Sequence, residues 1–221
     1  MYILNIETAT KNCSVSVAKD GQIVAIREVA EQGYSHAEKL HLLIEEILRE
    51  SGLLFQDLNA IAISRGPGSY TGLRIGVSAA KGLSYALEIP MISVDTLQVL
   101  ASQVKIESGV IIPILDARRM EVYSAIYNPQ HEILREVKAE IIDEDSFSDL
   151  HGDVYFVGDA VQKCKPLLSK PNFHFIEDVI FPSSNEMATL SHDLFLKKEF
   201  VDTAYFEPYY LKDFLIIPPK K

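Results

Sequence analysis

Apolar positions in the first thirty residues are often β-branched and partly alternating, in runs at 2–7, 13–19 and 22–30 that predict three strands. Asp20-Gly21, between the second and third, is the two-residue signature of a type I′ hairpin, whose central residues must both take positive φ. The period then lengthens to that of a helix. Leu40, Leu43, Ile44, Ile47 and Leu48 share one helical face, preceded by Ser35-His36-Ala37-Glu38 in the form of a capping box and stopped by Gly52. A short apolar strand at 60–64 breaks into Arg65-Gly66-Pro67-Gly68-Ser69-Tyr70-Thr71-Gly72 and reopens as a helix over 71–87, closed by Pro90. Ser69 or Thr71 is placed to cap the free amides at the start of that helix. A strand at 91–94 and a helix at 95–104 complete a first half of order βββαβαβα.

After Glu107-Ser108-Gly109 the order starts again, with strands at 110–115, 121–127 and 132–142 and a turn at Asn128-Pro129 between the last two. A short helix at 145–150, a strand at 153–157, a helix from Gly158-Asp159 to 168, a weaker strand at 172–176 and a helix at 184–198 follow. No residues recur at a fixed spacing, so the repeat is one of element order. Two such halves describe the duplicated, two-lobed α/β architecture of the actin, sugar kinase and heat-shock chaperone (ASKHA) superfamily, with lobes at 1–106 and 107–221. That architecture puts nucleotide between the lobes, and by itself it supplies no chemistry.

The helix over 71–87 carries the sharpest physical inference. Gly76 and Gly82 in its interior each cost about 1 kcal/mol relative to alanine, and Leu73, Ile75, Val77, Ala79, Ala80, Leu83 and Leu87 surround its axis. Packing within the lobe explains one apolar face. The small residues Gly72, Gly76, Ala79 and Ala80 form a strip along which another helix can approach closely, and a second apolar face suggests an interface with another chain.

Composition narrows the function. With 221 residues and 48% hydrophobic content the chain can bury a sizeable core. No window of about 18 apolar residues is present to span a bilayer, and the N-terminal run reads as a strand instead of a signal peptide, so no membrane association and a cytoplasmic location are expected. Cys13 and Cys164 lack disulfide or zinc spacing and read as buried small hydrophobes. A net charge of −10 opposes binding of nucleic acid by the chain alone, and the basic pairs Arg118-Arg119 and Lys220-Lys221 read as solvated surface.

Candidate phosphate chemistry is weak. In Ile6-Glu7-Thr8-Ala9-Thr10-Lys11-Asn12, which occupies the place of the superfamily's first phosphate loop, Glu7 is a methylene longer than the usual Asp and no glycine lets amides approach a phosphate. Glu7, Thr8 and Thr10 are the residues that would hold nucleotide there; otherwise the loop is a turn satisfying its own backbone. Gly66-x-Gly68-x-x-x-Gly72 is one residue too long for a dinucleotide fingerprint and lacks the Lys-Ser/Thr of a P-loop, although Asp95 stands where a ribose-binding acid could sit. His36 and His41, five apart, lie about 140° apart on a helix and cannot easily grip one ion; no metal site is expected. No nucleophile constellation is visible, and no catalytic residue is assigned.

Ile6-Glu7-Thr8-Ala9-Thr10, His36 with its helix, and above all residues 57–62 leading into 65–76 and Ala80-Lys81-Gly82-Leu83 resemble the TsaB (YeaZ) family. The likeness covers roughly the first hundred residues. The second half is similar only through Asp116-Ala117-Arg118, Glu121-Val122-Tyr123 and Pro208-Tyr209-Tyr210-Leu211-Lys212. Glu7, Tyr70 and Lys212 stand where the family commonly has Asp, Phe and Arg. The resemblance implies a non-catalytic subunit of the bacterial machinery that makes threonylcarbamoyladenosine in tRNA. It implies pairing with a catalytic paralogue, TsaD, which binds metal through an HxxxH motif absent here, and the joining of an ATPase, TsaE. The implied partner interface is Gly72, Leu73, Ile75, Gly76, Ala79, Ala80 and Leu83. No tightly bound cofactor of its own is expected; the assembled complex leaves room for ATP or ADP with Mg²⁺, tRNA is expected to be reached through it, and a lone chain can pair with itself by two-fold symmetry. The alternative reading is a small ATP-dependent phosphotransferase of the same fold. The old peptidase label attached to the superfamily finds no zinc motif or nucleophile here.

The acidic charge predicts weak tRNA binding by the isolated chain in a filter or gel-shift assay; tight, salt-sensitive binding would contradict it.

Overall fold

The computed structural model describes residues 1–30 and 36–212. Its first sheet comprises β1 (Tyr2–Glu7), β2 (Asn12–Lys19), β3 (Gln22–Ala30), β4 (Leu58–Ser64) and β5 (Met91–Val94), in the order β3-β2-β1-β4-β5. The second comprises β6 (Val110–Asp116), β7 (Glu121–Tyr127), β8 (Ile133–Ile141), β9 (Val154–Val157) and β10 (Phe173–Ile176), in the order β10-β9-β6-β7-β8. Strand for strand the two sheets match. In each the first three strands form an antiparallel meander, and the fourth and fifth add in parallel on its open side. The duplication read from element order is therefore real at the level of topology.

The turns follow from their residues. Asp20 and Gly21 take φ of 50° and 78°, as a type I′ hairpin requires. Asn128 Oδ1 accepts from the amides of Gln130 (3.0 Å) and Glu132 (2.8 Å), an Asx-type turn between β7 and β8. Gly52, at φ 66°, ends α1 (His36–Ser51). Ser35, the cap read from the sequence, lies outside the described residues.

Helices separate the layers. Leu40, Ile44 and Ile47 of α1, with Val77 and Ala80 of α2 (Tyr70–Leu87), cover Leu4, Ile6, Val15, Val17, Ile61 and Ile63 on the outer face of the first sheet. On the inner face Ile3, Ala60, Ala62, Ile92 and Val94 meet Val99 of α3 (Thr96–Ala101) and Met187 of α5 (Ser184–Leu196). Leu97, Leu100 and Ala101 of α3 turn the other way, onto Ile111, Leu115, Ala125 and Tyr127 of the second sheet. The outer face of that sheet is closed by Val161 and Cys164 of α4 (Val161–Cys164), with Phe147 and Leu168.

Each half thus lends its last helix to the middle layer, and this redraws the sequence-derived lobes. Residues 184–212 fall in the lobe read from the sequence as 107–221, yet α5 packs on the first sheet and the segment after it follows the first lobe as far as Lys212, which pairs with Glu121 of β7. Ser184 N donates to Ser14 Oγ (2.9 Å), Ser16 Oγ to Ser184 O (2.8 Å) and Ser191 Oγ to Asn5 Oδ1 (2.6 Å), so Asn5, Ser14 and Ser16, buried on β1 and β2, find partners in α5. Val201 N then donates to Met91 O (2.9 Å), and Tyr209 N to Arg65 O (2.8 Å). Periodicity cannot show this, because it reports which face of an element is apolar and not what covers it.

Some local expectations fail. Residues 145–150 are successive turns, with Phe147 at φ 59°, instead of a helix, and the helix expected to reach 168 is the single turn of α4. α3 stops at Ala101 instead of 104, and a 3₁₀ turn, Phe55–Asp57, precedes β4, which starts at Leu58.

Met187 is fully buried on the inner face of the first sheet. Met187→Ala should cost about 2–5 kcal/mol in urea unfolding, although the residue lies in the C-terminal quarter of the chain. A loss below about 1 kcal/mol would mean that α5 is not needed to close the first sheet.

Candidate functional site

The glycine-rich turn is built around a close approach between two loops. Ser69 N donates to Ala9 O (2.6 Å), and Thr8 Oγ1 donates to Gly72 O (2.8 Å). A Cβ at Gly68 would collide with Ala9 O, one at Gly72 with Thr8 O, and one at Gly76 with Thr8 Oγ1 and Ile63. Ser69 caps α2, its Oγ accepting from Gly72 N at 3.2 Å. Arg65 and Gly66 anchor the other end: Arg65 Nε donates to Asp95 Oδ1 (2.5 Å), and Gly66 N to Thr96 Oγ1 (3.0 Å). Asp95 therefore holds Arg65, not a ribose.

This geometry splits the strip assigned to a partner. Gly72, Leu73, Gly76 and Ala80 are buried against the lobe's own β1–β2 turn and sheet. The smallness of Gly72, Gly76 and Ala80 serves the interior, and a bulky residue at Gly76 would test folding instead of pairing. Ile75, Ala79 and Leu83 instead line a shallow groove of about 550 Å³ between α1 and α2, together with Ala37, His41, Arg74, Ser78 and Gly82. A Cβ at Gly82 would meet nothing within 4 Å. The helical cost of that glycine is therefore not offset by any contact within the described chain. The groove thus takes in Gly82, Ala37, Arg74 and Ser78, which lie outside the strip read from the sequence. The available signal was the i, i+4, i+8 spacing of Ile75, Ala79 and Leu83, flanked by Ser78 and Gly82.

The three nucleotide candidates are all interior. Glu7 and Thr8 are fully buried and Thr10 nearly so. Glu7 Oε1 accepts from Ala9 N (2.6 Å), Thr8 bonds Gly72 O, and Thr10 Oγ1 accepts from Asn12 N at 3.4 Å while its carbonyl meets His36 Nε2 at 2.7 Å. Burial pushes the Glu7 carboxyl up to about 7 against the opposing pull of the Ser64 hydroxyl and the Ala9 amide. In this arrangement the three side chains do not present themselves to a nucleotide phosphate: Thr8, Thr10 and Glu7 Oε1 bond inside the chain, Glu7 Oε2 is buried without a hydrogen-bond partner among the described residues, and all three side chains are turned away from solvent. His36 is a buried residue of the loop contact, and His41 stands in the groove wall. Among the described residues no three His, Cys, Asp or Glu side chains form a group able to hold a metal ion. No described helix is long and apolar enough to cross a membrane.

Two matched mixed sheets with exchanged helices define a protein of the duplicated ASKHA class. The comparisons then resolve the class to a family. The model for "TsaD: tRNA N6-adenosine threonylcarbamoyltransferase" matches residues 28–213. The tRNA threonylcarbamoyladenosine biosynthesis protein TsaB of Escherichia coli (strain K12) is 34% identical over 224 residues, covering 96% of this chain and 95% of that protein. A tRNA N6-adenosine threonylcarbamoyltransferase of Bacillus subtilis (strain 168) is 37% identical over 109 residues, covering 42% of this chain and 32% of that one. Among solved structures, YeaZ from Pseudomonas aeruginosa superposes with a TM-score of 0.80 at 24% identity, covering 95% of this chain and 99% of that one. The chain belongs to the TsaB (YeaZ) family.

Because the Glu7 carboxyl is raised in the folded state, the native chain binds more protons than the unfolded one between about pH 4.5 and 7. Its contribution to stability is full below that window and is lost as pH rises through it, by up to about 3 kcal/mol. Glu7→Gln should flatten this part of the stability–pH profile in urea titrations; parallel profiles for the two proteins would refute the assignment.

Proposed function

We propose that this chain is a non-catalytic subunit that pairs, through the α1–α2 groove, with a TsaD-type paralogue in making threonylcarbamoyladenosine in tRNA. The observation that carries the reading is the groove itself: Ile75, Ala79 and Leu83 lie along an open channel, with Gly82 as a notch that nothing in the described chain fills. A helix of a partner laid there would bury apolar surface and remove the unexplained cost of that glycine. The names of the relatives supply the pathway. The sequence has no HxxxH pair, and the first-loop residues Glu7, Thr8 and Thr10 bond inside the chain, which favours a supporting role over a phosphotransferase. A TsaE-like ATPase, with ATP or ADP and Mg²⁺, and tRNA would join through the complex. The lone chain would use the same groove to self-associate.

Gly82→Leu should raise helix stability slightly, since leucine is the better helix former by up to about 1 kcal/mol, while weakening co-purification with the paralogue at least roughly tenfold. Unchanged pairing would move the surface elsewhere, and nucleoside formation by the purified chain without the paralogue would overturn the non-catalytic reading.

A further inference from the structure

One charged residue interrupts the apolar groove. Arg74 stands in its wall, and among the described residues no acidic side chain lines it. Among the described residues Arg74 makes no ion pair; Glu207 is near enough to act on it electrostatically without forming one. The guanidinium is nonetheless held in place. It lies over the Tyr70 ring at 4.5 Å, and its Nε donates to Tyr210 Oη at 3.3 Å. Tyr210 in turn packs on Tyr70, with ring centroids 5.1 Å apart.

Tyr210 belongs to a C-terminal strap that runs the length of α2. Lys81 Nζ donates to Ala204 O (2.9 Å) and Phe206 O (3.1 Å), Tyr209 N bonds Arg65 O, and Lys212 pairs with Glu121 of β7. The strap is tied to both sheets' layers, so the hydroxyl that holds Arg74 has a fixed position. With Nε engaged, the terminal nitrogens remain to present the two-pronged edge that matches a carboxylate. An arginine set this way is costly to cover with an apolar surface, because its charge would be desolvated without a partner.

We propose that Arg74 is the polar anchor of the α1–α2 groove, positioned by Tyr70 and by Tyr210 of the strap to receive a carboxylate from a helix of the TsaD-type paralogue. This rests on the reading that the groove takes that paralogue. The occupant follows from complementarity: the channel is apolar along Ile75, Ala79 and Leu83 and, among the described residues, its lining carries one fixed cation, so the docking helix needs an apolar stripe with one acid in register. The family model spanning residues 28–213 includes both helices, so the paralogue carries homologous ones. The C-terminal strap thereby acquires a role in recognition: it presets the arginine before the partner arrives, which lowers the ordering cost of binding.

The test is calorimetric or optical titration of the full chain with the TsaD-type paralogue of the same genome, at low and high salt, using variants whose melting is unchanged. Arg74→Met should weaken pairing roughly tenfold or more and flatten its salt dependence. Arg74→Lys should restore little, because an ammonium lacks the two-pronged edge. Tyr210→Phe should weaken pairing several-fold with Arg74 present and not at all in the Arg74→Met background, which a merely structural strap would not produce. Wild-type affinity for Arg74→Met, with Gly82→Leu still defective, would overturn the anchor and leave the groove standing. Wild-type affinity for both would remove the groove as well. Loss of self-association by Arg74→Met with paralogue pairing intact would also overturn the proposal, by making the occupant a second copy.

Discussion

The contact on which the first lobe depends is between the β1–β2 turn and the glycines that open α2. Thr8 donates to Gly72 O, Ala9 O accepts from Ser69 N, and Gly68, Gly72 and Gly76 leave no room for a Cβ on that side. At Gly68 and Gly72 the approach brings backbone against backbone, where only glycine fits, and at Gly76 it brings the Thr8 and Ile63 side chains against the helix. It also consumes the polar atoms that a superfamily phosphate loop would turn toward a ligand. One interaction thus fixes the direction of α2 and closes the first loop, and the groove beside α1 is what remains open.

The second organising constraint is the exchange of terminal helices. α3 follows the first sheet in sequence and packs on the second, while α5 does the reverse. Neither sheet is complete with its own half of the chain. The hydroxyls of Ser14 and Ser16 and the Asn5 amide are buried on the face that receives α5, and they become affordable because Ser184 and Ser191 of α5 supply partners. The strap after α5 extends the exchange to α2, where Tyr209 and Tyr210 reach Arg65 and Arg74. The α2 side of the first lobe is therefore braced partly by the last described residues of the chain.

Membership in the TsaB family and the closed first loop point the same way chemically. A chain that retains the duplicated fold but commits Glu7, Thr8 and Thr10 to internal bonds has kept the scaffold of a nucleotide-binding architecture without an open phosphate loop at that position. What it offers instead is shape: an apolar groove, a glycine notch and an arginine held at its edge.

Read alone, the sequence determined the strands, the long helices, the Asp20-Gly21 hairpin, the duplicated element order and the family, because these rest on local periodicity, on turn residues with few conformations and on long motifs. It also showed that Gly76 and Gly82 must each have a reason. Only the tertiary structure decided that the reasons differ. Gly76 faces the lobe's own Thr8, whereas Gly82 faces open space, and the two lie six residues apart on one helix whose apolar residues surround its axis. A helix that is apolar all round announces burial without saying by what, since hydrophobic burial has no direction of its own. Which neighbour covers each apolar face is settled by long-range packing that no local pattern encodes: the inner face of the first sheet, opposite α2, is closed by α5, more than 90 residues downstream of α2.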